Sequence, residues 1–164
     1  LHIMEEDSEV RHVEYLHEET TDPSEEMARR LTHDIGEHGS IVVYHATMEK
    51  GVLQYLRDRF PEHANPLQDM VDRLWDLELV FKNHYRHWKF GSKSSIKVVL
   101  PNLIPELSYD DLEIQEGGSA SWNWIQMIES ADTETKQVLA EALRKYCKRD
   151  TWAMVALLKL VMEI

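Results

Sequence analysis

Apolar positions change rhythm at one point in this chain. Ile41-Val42-Val43-Tyr44 is an unbroken apolar and aromatic run, and Gly39 and Ser40 punctuate its start. That pattern predicts a strand buried on both faces. Just beyond it, Val52, Leu53 and Leu56 recur at helical spacing, with Thr47 as the expected N-cap. A buried strand running directly into a helix puts the junction at the carboxyl end of a sheet, where open α/β proteins place their sites. The residue offered there is Glu49, in the first helical turn. A carboxylate in that position also complements the helix dipole.

The other elements follow from the same reading. Residues 1–4 and 10–16 predict two strands of a hairpin around the polar turn Glu5-Glu6-Asp7-Ser8. Asp22 is the expected N-cap of a helix, with Pro23 as its first residue and Glu25 closing a capping box. Met27, Leu31, His33 and Ile35 can face inward, and Gly36 or Gly39 ends it. The helix after the central strand runs to Arg59 and breaks at Phe60-Pro61. A helix over 65–75 carries Leu67, Met70, Val71, Leu74 and Trp75, and Asp76-Leu77 opens an irregular, aromatic-rich region. Gly91-Ser92-Lys93-Ser94-Ser95 leads into a short helix over 96–100, stopped by Pro101 and Pro105. After a loop over 109–118, three helices are expected, over 120–128, 133–145 and 150–164. Together these predict one α/β domain over 1–164, a small mixed sheet covered by helices.

Composition narrows the setting. A chain of 164 residues is long enough for a proper core. Cys147 is the single cysteine, so no internal disulfide forms, which suits a reducing cytoplasm. The longest apolar run, over 152–162, is interrupted by Lys159 and is too short to span a bilayer. The net charge of −12 does not favour general binding of a phosphate backbone, and is compatible with a carboxylate-rich metal site.

Other side chains invite chemistry. Tyr146 and Asp150 are four apart and share a face if the backbone is helical. Lys93 and Lys97, with Tyr85 and Trp88, offer charge and stacking to a strand of nucleic acid; the alternative is an aromatic cluster beneath a solvated loop. His84-x-x-His87 has metal-ligand spacing but no third ligand, and reads as an exposed aromatic-rich loop. Cys147 reads as a packed small residue, and Trp122, Trp124 and Trp152 as core.

Tyr44-His45-Ala46-Thr47-Met48-Glu49 resembles the second motif of the DEDD superfamily of 3′–5′ exonucleases, usually His-Asn-Ala-Ser-Phe-Asp at the end of a buried strand. Asp76-Leu77 followed by Ser95-Ile96-Lys97-Val98-Val99-Leu100 is similar to the superfamily's mid-domain pattern, in which a strand ends on Asp. Tyr146-x-x-x-Asp150 resembles the third motif in its tyrosine form. With Leu107-Ser108-Tyr109-Asp110-Asp111-Leu112, nearly the whole chain looks like an uncharacterised bacterial domain of that superfamily, one often found behind a RecB-like nuclease domain in a longer chain.

The resemblance implies a ribonuclease-H-like fold and hydrolysis of DNA or RNA phosphodiesters by two Mg²⁺ or Mn²⁺ ions. It makes Glu49 and Asp150 metal carboxylates and gives Tyr146 the task of orienting the attacking water. The superfamily's first motif, Asp-x-Glu in a strand, is not recognisable. Asp7-Ser8-Glu9, Asp76-Leu77-Glu78, Asp111-Leu112-Glu113 and Asp132-Thr133-Glu134 have its spacing, but read as caps and turns. The chain opens on Leu1 as if in mid-strand, so the expectation is a fragment lacking the first strand and motif, and inactive alone. Glu49 and His45 stand where Asp and Asn are usual. The competing expectation is a degenerate fold kept as a nucleic-acid-binding or protein-interaction module.

Overall fold

A computed structural model describes residues 1–5 and 8–163. The chain is mixed α/β, mainly helical, and divides into two compact units. One comprises Leu1–Thr21 with Leu103–Ile164, the other Asp22–Asn102.

In the unit of Asp22–Asn102, helix α1 (Ser24–Ile35) is followed by strand β3 (Ile41–Val43) and helix α2 (Thr47–Arg59). Helix α3 (Ala64–Asp72), strand β4 (Leu74–Asp76), helix α4 (Glu78–Asn83) and helix α5 (Ile96–Leu103) complete the order. β3 and β4 run parallel, with Ile41 opposite Leu74 and Val43 opposite Asp76. Parallel pairing demands a crossover, which α2 and α3 supply. Ala28, Leu53, Leu56, Leu67 and Met70 are buried together, and Met27, Leu31, Ile35, Ile41 and Phe60 pack around them. Arg73 closes the turn into β3 by donating to the carbonyls of Gly36, His38 and Gly39.

Several expectations are corrected here. The helix predicted over 65–75 ends at Asp72, and Leu74–Asp76 is a strand. Leu74 has both periods open to it, and pairing with β3 decides between them. Beyond Asp76 the chain is not irregular at once but forms α4. Pro101 lies inside α5 rather than stopping it. α1 begins at Ser24, and Asp22 takes the Ser24 N–H at 3.0 Å in place of a capping box. The central strand ends at Val43, with Ile41 and Val42 only half-buried.

In the other unit, strands β1 (His2–Ile3) and β2 (Arg11–His12) pair antiparallel, a shorter hairpin than expected. The expected turn at Glu6-Asp7 lies outside the described residues, as does Asp7 of Asp7-Ser8-Glu9. Helix α6 (Gly117–Glu129) packs against helix α7 (Thr133–Met162). α7 is one continuous helix, where the sequence predicted two. Asp132 caps it, accepting from the Thr135 N–H at 2.9 Å. Lys148-Arg149-Asp150-Thr151 breaks the apolar pattern but contains no helix breaker. The buried stripe Leu143, Tyr146, Ala153, Leu157 continues across it at steps of three, seven and four. Trp124 and Trp152 are half-buried, but Trp122 is 61% exposed on α6 and is not core. Among the described residues no helix is long and apolar enough to cross a membrane.

Continuity of α7 is directly testable. Lys148 is exposed in mid-helix, so Lys148→Pro costs about 3 kcal/mol or more. Lys148→Ala stays within about 0.5 kcal/mol of wild type. Urea unfolding midpoints read both, and a harmless proline would mean two helices meet there.

Candidate functional site

The carboxyl ends of β3 and β4 lie side by side, and Asp76 ties them to the start of α2. Its Oδ1 accepts the His45 N–H at 2.9 Å and the Glu78 N–H at 3.0 Å, while Oδ2 accepts the Ala46 N–H at 3.1 Å. α2 has no side-chain cap of its own, and Thr47, the expected N-cap, is already its first helical residue. The neighbouring strand therefore supplies the acceptor that the helix entrance needs. His45 turns the chain there with φ +66°. Asn, Asp and His are the non-glycine residues most often found at positive φ, so an Asn-or-His position has a backbone reason.

Around this junction the polar side chains form a closed set. Glu78 accepts from Ser94 Oγ at 2.7 Å and lies 2.7 Å from His45 Nδ1. The Tyr44 hydroxyl donates to the Ser94 carbonyl. Burial, then the charges of Glu78 and Asp76, push the Tyr44 phenol well above its ordinary range, so it stays a donor.

Glu49 is different. It sits in the first turn of α2, and its Oε2 is shut off from solvent with no hydrogen-bond partner among the described residues. An unsatisfied buried acceptor costs about 1–3 kcal/mol. Such an oxygen is a hard donor of the kind that Mg²⁺ or Mn²⁺ takes. Yet among the described residues no three His, Cys, Asp or Glu side chains come together to hold a metal ion. Glu49 thus fits as one ligand of the implied ions, but the described residues do not form a complete centre.

In the unit containing α7, Asp150 and Tyr146 occupy one face, as their spacing predicted. Asp150 is in mid-helix rather than at a helix start. Its Oδ1 accepts the Tyr109 hydroxyl at 2.8 Å, and the Tyr109 and Tyr146 rings lie 6.2 Å apart. Arg149 grips the same loop, holding Asp111 through two contacts of 3.0 Å and donating to the Ser108 carbonyl. Tyr146 is 8% exposed. Burial first, then the charge of Asp150, push its phenol up to about 12. It is a protonated donor at neutral pH and not a general base.

The predicted residues thus fall into separate settings. Tyr146 and Asp150 come together on α7, and Glu49 belongs to the other unit, at the strand ends. Lys93 is exposed in the loop before α5, and Lys97 is half-buried on that helix. Tyr109, Glu78 and Ser94 were missed as site residues. In sequence Asp76 reads as a strand end and, with Glu78, as a cap or turn; its bond to the Glu78 N–H agrees with the second reading, while its bonds to His45 and Ala46 were not foreseen. Nothing local marks Tyr109, whose partner is 41 residues away.

These features define a mixed α/β chain with a carboxylate presented at the end of a parallel strand pair. Residues 1–95 match the model of a domain of unknown function (DUF2779), and the chain belongs to that family. Tyr146 and Asp150 lie outside the matched residues. No curated protein and no solved structure matches the chain.

Two outcomes test the site. Glu49→Met removes the orphaned oxygen and raises stability in metal-free buffer by about 1 kcal/mol, read by urea unfolding. The Tyr146 contribution is fully present below pH 10, the usual phenol value, and fades as pH rises towards about 12, because the folded state holds the proton more tightly. A 295 nm titration of wild type against Tyr146→Phe places the missing transition near 12; a value near 10 would contradict the burial.

Proposed function

We propose that this chain is an exonuclease-like domain with a ribonuclease-H-like architecture, whose parent protein hydrolyses DNA or RNA phosphodiesters from the 3′ end with divalent metal ions. The observation that carries this reading is the orphaned Oε2 of Glu49. A carboxylate oxygen buried without a partner, at the carboxyl end of a parallel strand, is paid for elsewhere in the fold and invites a cation. The resemblance of the Tyr44–Glu49 and Tyr146–Asp150 segments to exonuclease motifs adds the reaction class.

When bound, two such ions would activate a water and stabilise the leaving oxygen. The chain's own residues do simpler things. Glu49 offers a hard oxygen. Tyr146, kept protonated by burial, holds and orients a water by donation. Asp150 keeps its carboxylate in place through the Tyr109 hydroxyl. The described residues bring together no trio that would complete such a centre, so the reading gives Glu49 and Asp150 only part of the ligand set.

A second reading, a non-catalytic nucleic-acid or protein-binding module, is favoured by one observation. Asp150 already has a hydroxyl partner in Tyr109.

The full-length parent protein separates these readings. It is incubated with 5′-labelled single-stranded DNA and RNA in Mn²⁺, then in EDTA, beside Glu49→Gln and Asp150→Asn. The expected result is a metal-dependent ladder that falls at least about 100-fold in either variant. A ladder unchanged in both would put the cutting in another domain, such as a RecB-like nuclease domain. No cleavage of any substrate would favour the binding module.

A further inference from the structure

Between Glu78 and Glu106 the chain contains no Asp or Glu, but it carries Lys82, Arg86, Lys89, Lys93 and Lys97. In a protein of net charge −12 this is a local reversal of sign. Lys82, Arg86, Lys89 and Lys93 are all exposed. Among the described residues none of these four forms an ion pair, whereas Arg57, Arg59, Arg73, Arg144 and Arg149 each have a carboxylate.

Trp88 stands in the middle of this segment and is 82% exposed. Phe90, two residues on, is buried against Phe81, with ring centroids 6.4 Å apart, and fixes the short helical turn that carries Trp88. Lys89 Nζ lies 5.7 Å from the indole centroid, and the His87 ring 5.9 Å from it. A second anchor is Ser94, held by Tyr44 and Glu78 at the strand ends. The segment therefore presents a flat aromatic face among cations, from a backbone pinned on both sides.

We propose that segment 82–97 is a surface for single-stranded nucleic acid, with Trp88 as the platform on which a base stacks and Lys82, Arg86, Lys89 and Lys93 neutralising phosphates. Base stacking on an aromatic ring with flanking cations is how such strands are held without reading their sequence. An acidic polypeptide would satisfy the charges but leaves uncovered the indole face, which has Lys89 and His87 beside it. The acidic remainder of the chain repels a polynucleotide, which confines it to this segment. The inference rests on the nucleic-acid side of the proposed function and not on its cleavage chemistry.

Binding is therefore measured in EDTA, by fluorescence anisotropy of 5′-labelled oligo-dT and oligo-rU of about 12 nucleotides. The full-length protein is used, at about 50 mM and then 200 mM salt. Trp88→Ala is expected to weaken binding about 10-fold and Trp88→Phe to restore most of it. The pair Lys89→Glu with Lys93→Glu weakens it further and flattens the salt dependence. Trp122→Ala, which removes a tryptophan 61% exposed on α6, leaves binding unchanged. Circular dichroism checks that each variant is folded. The dT and rU arms distinguish DNA from RNA.

Three results would overturn the proposal. They are binding unaltered by Trp88→Ala, no binding even at the lower salt, and displacement of the oligonucleotide by polyglutamate of equal charge, which would assign the surface to an acidic protein. Absence of cleavage in Mn²⁺ would count against the proposed function alone, because this readout contains no metal.

Discussion

The Asp76 carboxylate is the constraint on which the unit of Asp22–Asn102 depends. Three backbone N–H groups converge on it, from His45, Ala46 and Glu78. Charge-assisted bonds of this kind are roughly twice as strong as neutral ones. They fasten the end of one strand to the entrance of the helix that follows its neighbour. The positive φ of His45, the placement of Glu78 and the start of α2 all follow. Glu49, half-buried and two residues into α2, inherits its position from that helix start. The junction's polar atoms are consumed in building it, which is why the unpartnered Oε2 of Glu49 stands out among the described residues.

The other unit solves a different problem. Asp150 lies between Tyr146 and Ala153 along the inward stripe of α7, where an uncompensated carboxylate is expensive. Tyr109 meets part of that cost by direct hydrogen bonding. Burial first, and then the charge of Asp150, push the Tyr109 phenol above its ordinary range. Tyr146 and Tyr109 therefore remain donors, and Asp150 remains the acceptor among them.

Legibility from sequence followed the range of each interaction. The strand at Ile41-Val42-Val43 and the helix after it declared themselves through local rhythm, and Tyr146 with Asp150 through a four-residue step. Leu74-Trp75-Asp76 did not, because three residues fit either period and only the partner strand at Ile41–Val43 selects extension. The break expected between 145 and 150 was a break in polarity, not in backbone. Polar residues on one turn do not end a helix whose buried stripe continues. The bonds of Asp76 to His45 and Ala46 were hidden for the same reason as the Tyr109 bond: the partners are about 30 or more residues away in sequence. The DEDD resemblance set expectations for Glu49, Tyr146 and Asp150, while the family match to residues 1–95 bears on the earlier half of the chain.

The loop carrying Ser108, Tyr109 and Asp111 is moored to two consecutive residues of one helix, Arg149 and Asp150. Neighbours on a helix differ in direction by about 100°, so the two moorings pull along different lines. A loop held that way resists sliding in either direction and leaves only by shedding both attachments together. One of the two moorings is the ion pair of Arg149 with the exposed Asp111, so the hold on the loop that carries the partner of Asp150 weakens as ionic strength rises.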